Sequence, residues 1–185
     1  CEALLAEGNP DVGPAQVFYS HCQKEDINVT LDTLTMFPSS GIISPAMLPD
    51  HLHIWIDYCS IRQCLPNEFK PEEIVALIAH IGQTIIELDY ERSFFTRSFC
   101  LLEAYATVRS SGKLVCRAVG IGDSSADQEN PCGETNCKLF SDVANSLVHV
   151  DSKAANTHNL RDKELIDRYI ELDVGFAQLD ATLAP

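Results

Sequence analysis

Residues 71–120, PEEIVALIAHIGQTIIELDYERSFFTRSFCLLEAYATVRSSGKLVCRAVG, carry the alternation that decides the fold. PEEIVALIAHIG reads as a helix: Pro71 takes the first turn, where its missing N–H costs nothing, Glu72 and Glu73 suit the N-terminal dipole, and Gly82 stops it. QTIIELDY is an apolar run of strand length. A second helix follows from about Thr96 to Ser110, and GKLVCRAVG is a second strand that ends in glycine.

The same alternation extends upstream. AQVFYS is a short apolar strand that stops at Ser20-His21, and QKEDINVTLDTLTMF then places Ile27, Leu31, Leu34 and Met36 or Phe37 at roughly helical spacing. PSSGIISPAMLPD is a proline-punctuated connection to LHIWIDY, a continuous apolar strand that ends on Asp57, and CSIRQCLPNEFK is a polar loop. Trp55, inside LHIWIDY, reads as core. Alternation with short connections predicts βαβ units, and hence an α/β domain with a mostly parallel sheet and helices on both faces.

Residues 1–14 form a lead-in segment rich in proline and glycine, and 15–185 form one domain. Beyond the fourth strand, an acidic insertion occupies about 120–141, longer than an ordinary turn. SLVHV is a candidate fifth strand, LRDKELIDRYIEL an amphipathic helix, and VGFAQLDATLA a further short helix.

A chain of 185 residues with 45% hydrophobic content can bury a full core without staples. Its 13 Lys and Arg against 27 Asp and Glu give a net charge of −14, which repels phosphate backbones and anionic bilayers, so nucleic acid is not expected as a partner. The apolar runs fall short of the ~20 residues that cross a bilayer, so membrane insertion is not expected either. The chain opens on Cys1 without a methionine, which leaves an organellar address open beside the default expectation of a soluble cytoplasmic protein.

Several side chains invite chemistry. Glu103 lies in RSFCLLEAY, a run that otherwise reads as buried helix, and a carboxylate is rarely buried unpaired. Thr96, Glu103, Thr107 and Ser110 recur at helical spacing, so a solvated helix face is one reading; a carboxylate walled by Phe99 and Cys100 is the other. Ser20 and His21 are adjacent on an extended chain and point to opposite faces, which argues against a nucleophile and base pair. Asp57 and Asp89, at successive strand ends, suggest the acidic pair of a phosphotransfer domain, but Ser20-His21 occupies the place after the first strand.

His51 and His53 share a strand face without a visible third ligand, and Cys59/Cys64 with Cys132/Cys137 have loose zinc-like spacing. A local disulfide within PCGETNC is the oxidised alternative. Reduced thiols are the default, and no metal site is expected.

Taken together, AQVFYSHCQKED, LHIWIDY, TIIELD, RSFCLLEAYATV and KLVCRAVG resemble the Toll/interleukin receptor (TIR) domain family over about residues 15–120. Ser20 and Asp26 match its first box, Asp57 the end of its second strand, and Ser98, Phe99, Cys100 and Glu103 its S-x-W-C-x-x-E motif, with Phe99 in place of the tryptophan. The resemblance implies a three-layer, flavodoxin-like domain of strand order 2-1-3-4-5, with its ligand crevice at the strand carboxyl ends. Ser20, His21, Asp57 and Arg62 would border that crevice as nucleotide-binding residues.

Two functions follow from the resemblance. One is a protein-interaction or assembly module, an accessory subunit that self-associates or binds a protein partner. The other is an NAD glycohydrolase that needs no cofactor, takes NAD as substrate and uses Glu103 as catalytic carboxylate.

Overall fold

The computed structural model describes residues 7–21, 28, 30–31, 34, 52–60, 69–88, 93–118, 141 and 149–184. Four parallel strands, β1 (Val17–Ser20), β2 (Ile54–Trp55), β3 (Gln83–Leu88) and β4 (Lys113–Ala118), form one sheet in the order β2-β1-β3-β4. The α-helices whose bounds fall among the described residues are α1 (Asp57–Ser60), α2 (Pro71–Ile81), α3 (Ser98–Arg109), α4 (Leu160–Asp173) and α5 (Phe176–Leu183). The order reverses at β1: the chain first adds β2 on one side and then β3 on the other. The carboxyl ends of β1 and β3 therefore flank a switch point.

The expected α/β alternation is present from Pro71 to Ala118, and helix α2 ends as its sequence predicts. Gly82 adopts φ 73°, its N–H closes the helix on the Ile78 carbonyl at 2.9 Å, and its own carbonyl receives Lys113 N–H at 2.9 Å. One glycine thus caps α2 and fixes where β4 begins beside β3.

One expectation needs correction. LHIWIDY contributes only Ile54 and Trp55 to the sheet, and Asp57 opens α1 instead of closing a strand. Among the described residues β2 pairs with β1 alone, so an apolar run there is not held extended along its length. Of the candidate fifth strand SLVHV, His149 and Val150 are not in a strand, and the other three residues lie outside the described residues. The acidic stretch, apart from Ser141, lies outside them too.

Side-chain alternation sorts the core. Phe18, Thr84 and Ile86 face α2 and α3, and Phe18 packs with Ile74, Ile78 and Ala106. Phe18 also stacks on Trp55 at 4.4 Å between ring centroids, so the tryptophan serves the core as expected, although its outer part reaches solvent. On the opposite face Val17, Tyr19, Ile56 and Ile85 form a second cluster, against which Leu34 packs from helical backbone.

Helix α3 is buried on most of its circumference, with eight of its twelve residues out of solvent. One side lies on the sheet; against the other pack Ile166 and Ile170 of α4 and Leu179 and Leu183 of α5. The chain leading into α4 runs beside the start of α3, where Ser98 N–H donates to the Asn156 carbonyl at 3.0 Å and Asn156 N–H donates to that of Thr96 at 2.7 Å. Asn159 then caps α4 by accepting from Arg161 N–H at 3.0 Å. Arg109 and Asp173 form an ion pair between the C-terminal ends of α3 and α4.

Candidate functional site

The solvated-stripe reading of α3 does not hold. Thr96 and Ser110 are exposed, but Thr107 is fully buried and Glu103 is half-buried. Both middle members of the stripe turn toward the sheet, because α4 and α5 occupy the side that local spacing left open.

Glu103 meets the end of β1. Ser20, the last residue of that strand and 1% exposed, donates its hydroxyl hydrogen to Oε2 of Glu103. One turn earlier on the same helix face, the Cys100 thiol lies 3.8 Å from the His21 carbonyl oxygen. The Cys100 and Glu103 spacing in the sequence is therefore the spacing by which α3 straddles Ser20-His21.

A buried hydroxyl pair sets the height of that helix over the sheet. Thr107 Oγ1 lies 2.6 Å from Thr84 Oγ1 of β3 and 2.9 Å from the Glu103 carbonyl oxygen. A carbonyl only accepts, so Thr107 donates to it and the Thr84 hydroxyl donates to Thr107.

His21 turns to the other face of the sheet, as neighbouring positions on an extended chain must. Its Nε2 lies 2.9 Å from Oδ1 of Asp57, and its ring stacks against Tyr19 at 6.0 Å between centroids. A carboxylate accepts only, so Nε2 carries the hydrogen. Asp57 reaches His21 from the first turn of α1. The strand-to-helix turn that shortened β2 is thus what brings this carboxylate to β1.

Ser20, His21, Asp57 and Glu103 accordingly gather at one edge of the sheet, at the switch point. Arg62 and Asp89 lie outside the described residues, as do His51, Cys64, Cys132 and Cys137. The Phe99 ring packs on Phe69 at 4.6 Å. His53 engages the Pro10 carbonyl at 3.0 Å through Nε2. Among the described residues no group of three His, Cys, Asp or Glu side chains could hold a metal ion. Cys59, Cys100 and Cys116 form no disulfide, and burial pushes the Cys116 thiol pKa up, which disfavours its thiolate.

One residue of this edge escaped the sequence reading. Glu87, near the end of β3, is buried, and its signal was a lone charge inside the apolar run TIIEL. Thr84 and Thr107 were legible only as polar residues at strand and helix positions.

Two side-chain pairs thus meet the end of β1 from opposite faces of the sheet, Ser20 with Glu103 of α3 and His21 with Asp57 of α1, so that a hydroxyl orients a carboxylate on one side and a carboxylate holds an imidazole on the other. No helix among the described residues is long and apolar enough to cross a membrane. Comparison of the chain with protein-family models, with curated proteins and with solved structures finds no match.

Proposed function

We propose that the protein is an NAD glycohydrolase of three-layer, flavodoxin-like, TIR-like architecture, with Glu103 as its catalytic carboxylate. The observation that carries this reading is the Ser20–Glu103 hydrogen bond at the β1 end of the switch point. A carboxylate on a solvated helix face would have favoured a purely structural role. This one is turned inward and oriented by the buried hydroxyl of Ser20, the residue that precedes His21 in the chain.

The reaction is hydrolysis: NAD and water give nicotinamide, ADP-ribose and a proton. The bond from the ribose anomeric carbon to the nicotinamide nitrogen breaks with its electron pair going to nicotinamide, which leaves positive charge on the sugar. The Glu103 carboxylate stabilises or captures that charge, and water then supplies the hydroxyl. Ser20 holds one carboxylate oxygen, which fixes the plane in which the other faces the ligand. His21, held by Asp57, and Arg62 border the nucleotide in this reading.

Concentrated protein incubated with NAD is expected to release nicotinamide and ADP-ribose in equal amounts. A folded sample that releases neither overturns the proposal.

A second reading, assembly through self-association or a protein partner, draws on helix α4. Leu160 and Leu172 are 79% and 77% exposed there, large apolar side chains at the two ends of a helix whose core-facing residues are Ile166 and Ile170. Sedimentation over a range of concentrations is expected to show association that Leu160→Ser with Leu172→Ser weakens. Concentration-independent monomers for the unaltered chain would end this reading.

A further inference from the structure

The residue that demands an explanation is Glu87. It is 2% exposed, and both of its carboxylate oxygens are buried without a hydrogen-bond partner among the described residues. Buried carboxylates are ordinarily held by donors, and one without them is costly to fold. A ligand that brings hydrogen-bond donors to it would offset that cost.

Its position narrows the use. The last registered pair between β1 and β3 is Ser20↔Ile86, so His21 and Glu87 follow it, one on each side of the switch point. Alternation settles their direction. Ile86 and Leu88 belong to the cluster under α3, whereas Ile85 packs with Val17 and Tyr19 on the opposite face; Glu87 shares that second face with Tyr19 and His21. Glu103 and Glu87 therefore lie on opposite faces of the sheet, each beside the carboxyl ends of β1 and β3.

We propose that Glu87 is a ligand-binding residue, the acceptor for a vicinal diol of ribose. This rests on the glycohydrolase reading above, because that substrate carries two such diols and the chemistry at Glu103 concerns only one bond of it. Two hydroxyl donors match the two oxygens of a carboxylate that the protein leaves without donors. An acidic group near the carboxyl end of a strand performs the same task in dinucleotide-binding parallel sheets. Glu87 contributes to binding, and the bond-breaking step belongs to Glu103.

Glu87→Gln separates this role from a structural one. ADP-ribose, the uncleaved product, serves as the probe. Calorimetry is expected to show its affinity falling by ~10- to 100-fold in the variant, the scale of lost charge-assisted hydrogen bonds. With NAD, KM rises while kcat stays within about threefold. The ligand-free variant melts ~2–4 °C higher, because a neutral amide is cheaper to bury than a charge.

Unchanged ADP-ribose affinity overturns the proposal. So does a lower melting temperature, which would mean that Glu87 is structurally paired, the in-register Arg117 of β4 being the nearest candidate by register. Glu87-dependent binding of ADP-ribose by a protein that does not cleave NAD supports the ribose site and overturns the glycohydrolase. Cleavage of NAD unaffected by Glu87→Gln does the reverse. Absence of both binding and cleavage overturns both.

Discussion

Replacing Glu103 by glutamine is expected to slow nicotinamide release by at least ~100-fold while leaving the fold and the binding of NAD nearly intact. The size follows from what the carboxylate does. A group placed where charge develops in the transition state contributes roughly 100- to 1,000-fold when removed singly, and here the charge developing on the sugar is a full cation in the limit. Glutamine keeps the shape and still offers an oxygen to the Ser20 hydroxyl, so the contact that ties α3 to β1 survives. The loss should therefore fall on kcat with KM changed by less than about threefold, the signature of an interaction made chiefly in the transition state. Single-turnover measurement of nicotinamide release checks it. Release that survives the substitution would remove Glu103 from the mechanism even if the protein proves to cleave NAD.

The largest effect on stability is expected at Phe18. Its ring is fully buried, stacks on Trp55, and fills the space between β1, α2 and α3 beside Ile74, Ile78 and Ala106. Truncation to alanine removes the apolar contact and leaves a void that a parallel sheet with a helix across it cannot close, a loss of ~3–5 kcal/mol. Against a total of about 5–15 kcal/mol for a domain, that is a large share. Urea unfolding should show a midpoint shift of that size with the slope unchanged, and Phe18→Leu should recover much of it. A loss below ~1 kcal/mol would mean that the two rings are not the keystone of this face. Ser20 lies only two residues further on, so this variant also tests how far the site depends on the sheet beneath it.

The sequence made some of this legible and hid the rest for identifiable reasons. Helix α2 announced both its ends, because Pro71 and Gly82 are local devices whose effect needs no tertiary partner. Strand β2 misled: an apolar run records burial, and Ile56 is indeed buried, but sheet pairing stops before it and Asp57 turns into helix. The Thr96 to Ser110 stripe misled in another way. Helical spacing identifies one face, whereas α3 is packed on two, and its second cover comes from Ile166, Ile170, Leu179 and Leu183, far along the chain.

At the site, Ser20 and Glu103 were each singled out, yet nothing local joins residues 83 positions apart; parallel topology does. The His21–Asp57 pair is similar. Glu87 was overlooked because it lies inside a strand, where a charge is easily read as the solvent-facing half of an alternation.

The backing of α3 by the chain that follows it has a consequence for biosynthesis. A ribosome delivers Ser20, Asp57 and Glu103 well before it delivers Asn156, Ile166 or Leu183, yet the helix that carries Glu103 rests on all three. Until those residues emerge, α3 has an apolar flank without cover and its first turn lacks the Asn156 backbone bonds. The carboxylate is therefore seated late, only after the chain through Leu183 has left the ribosome.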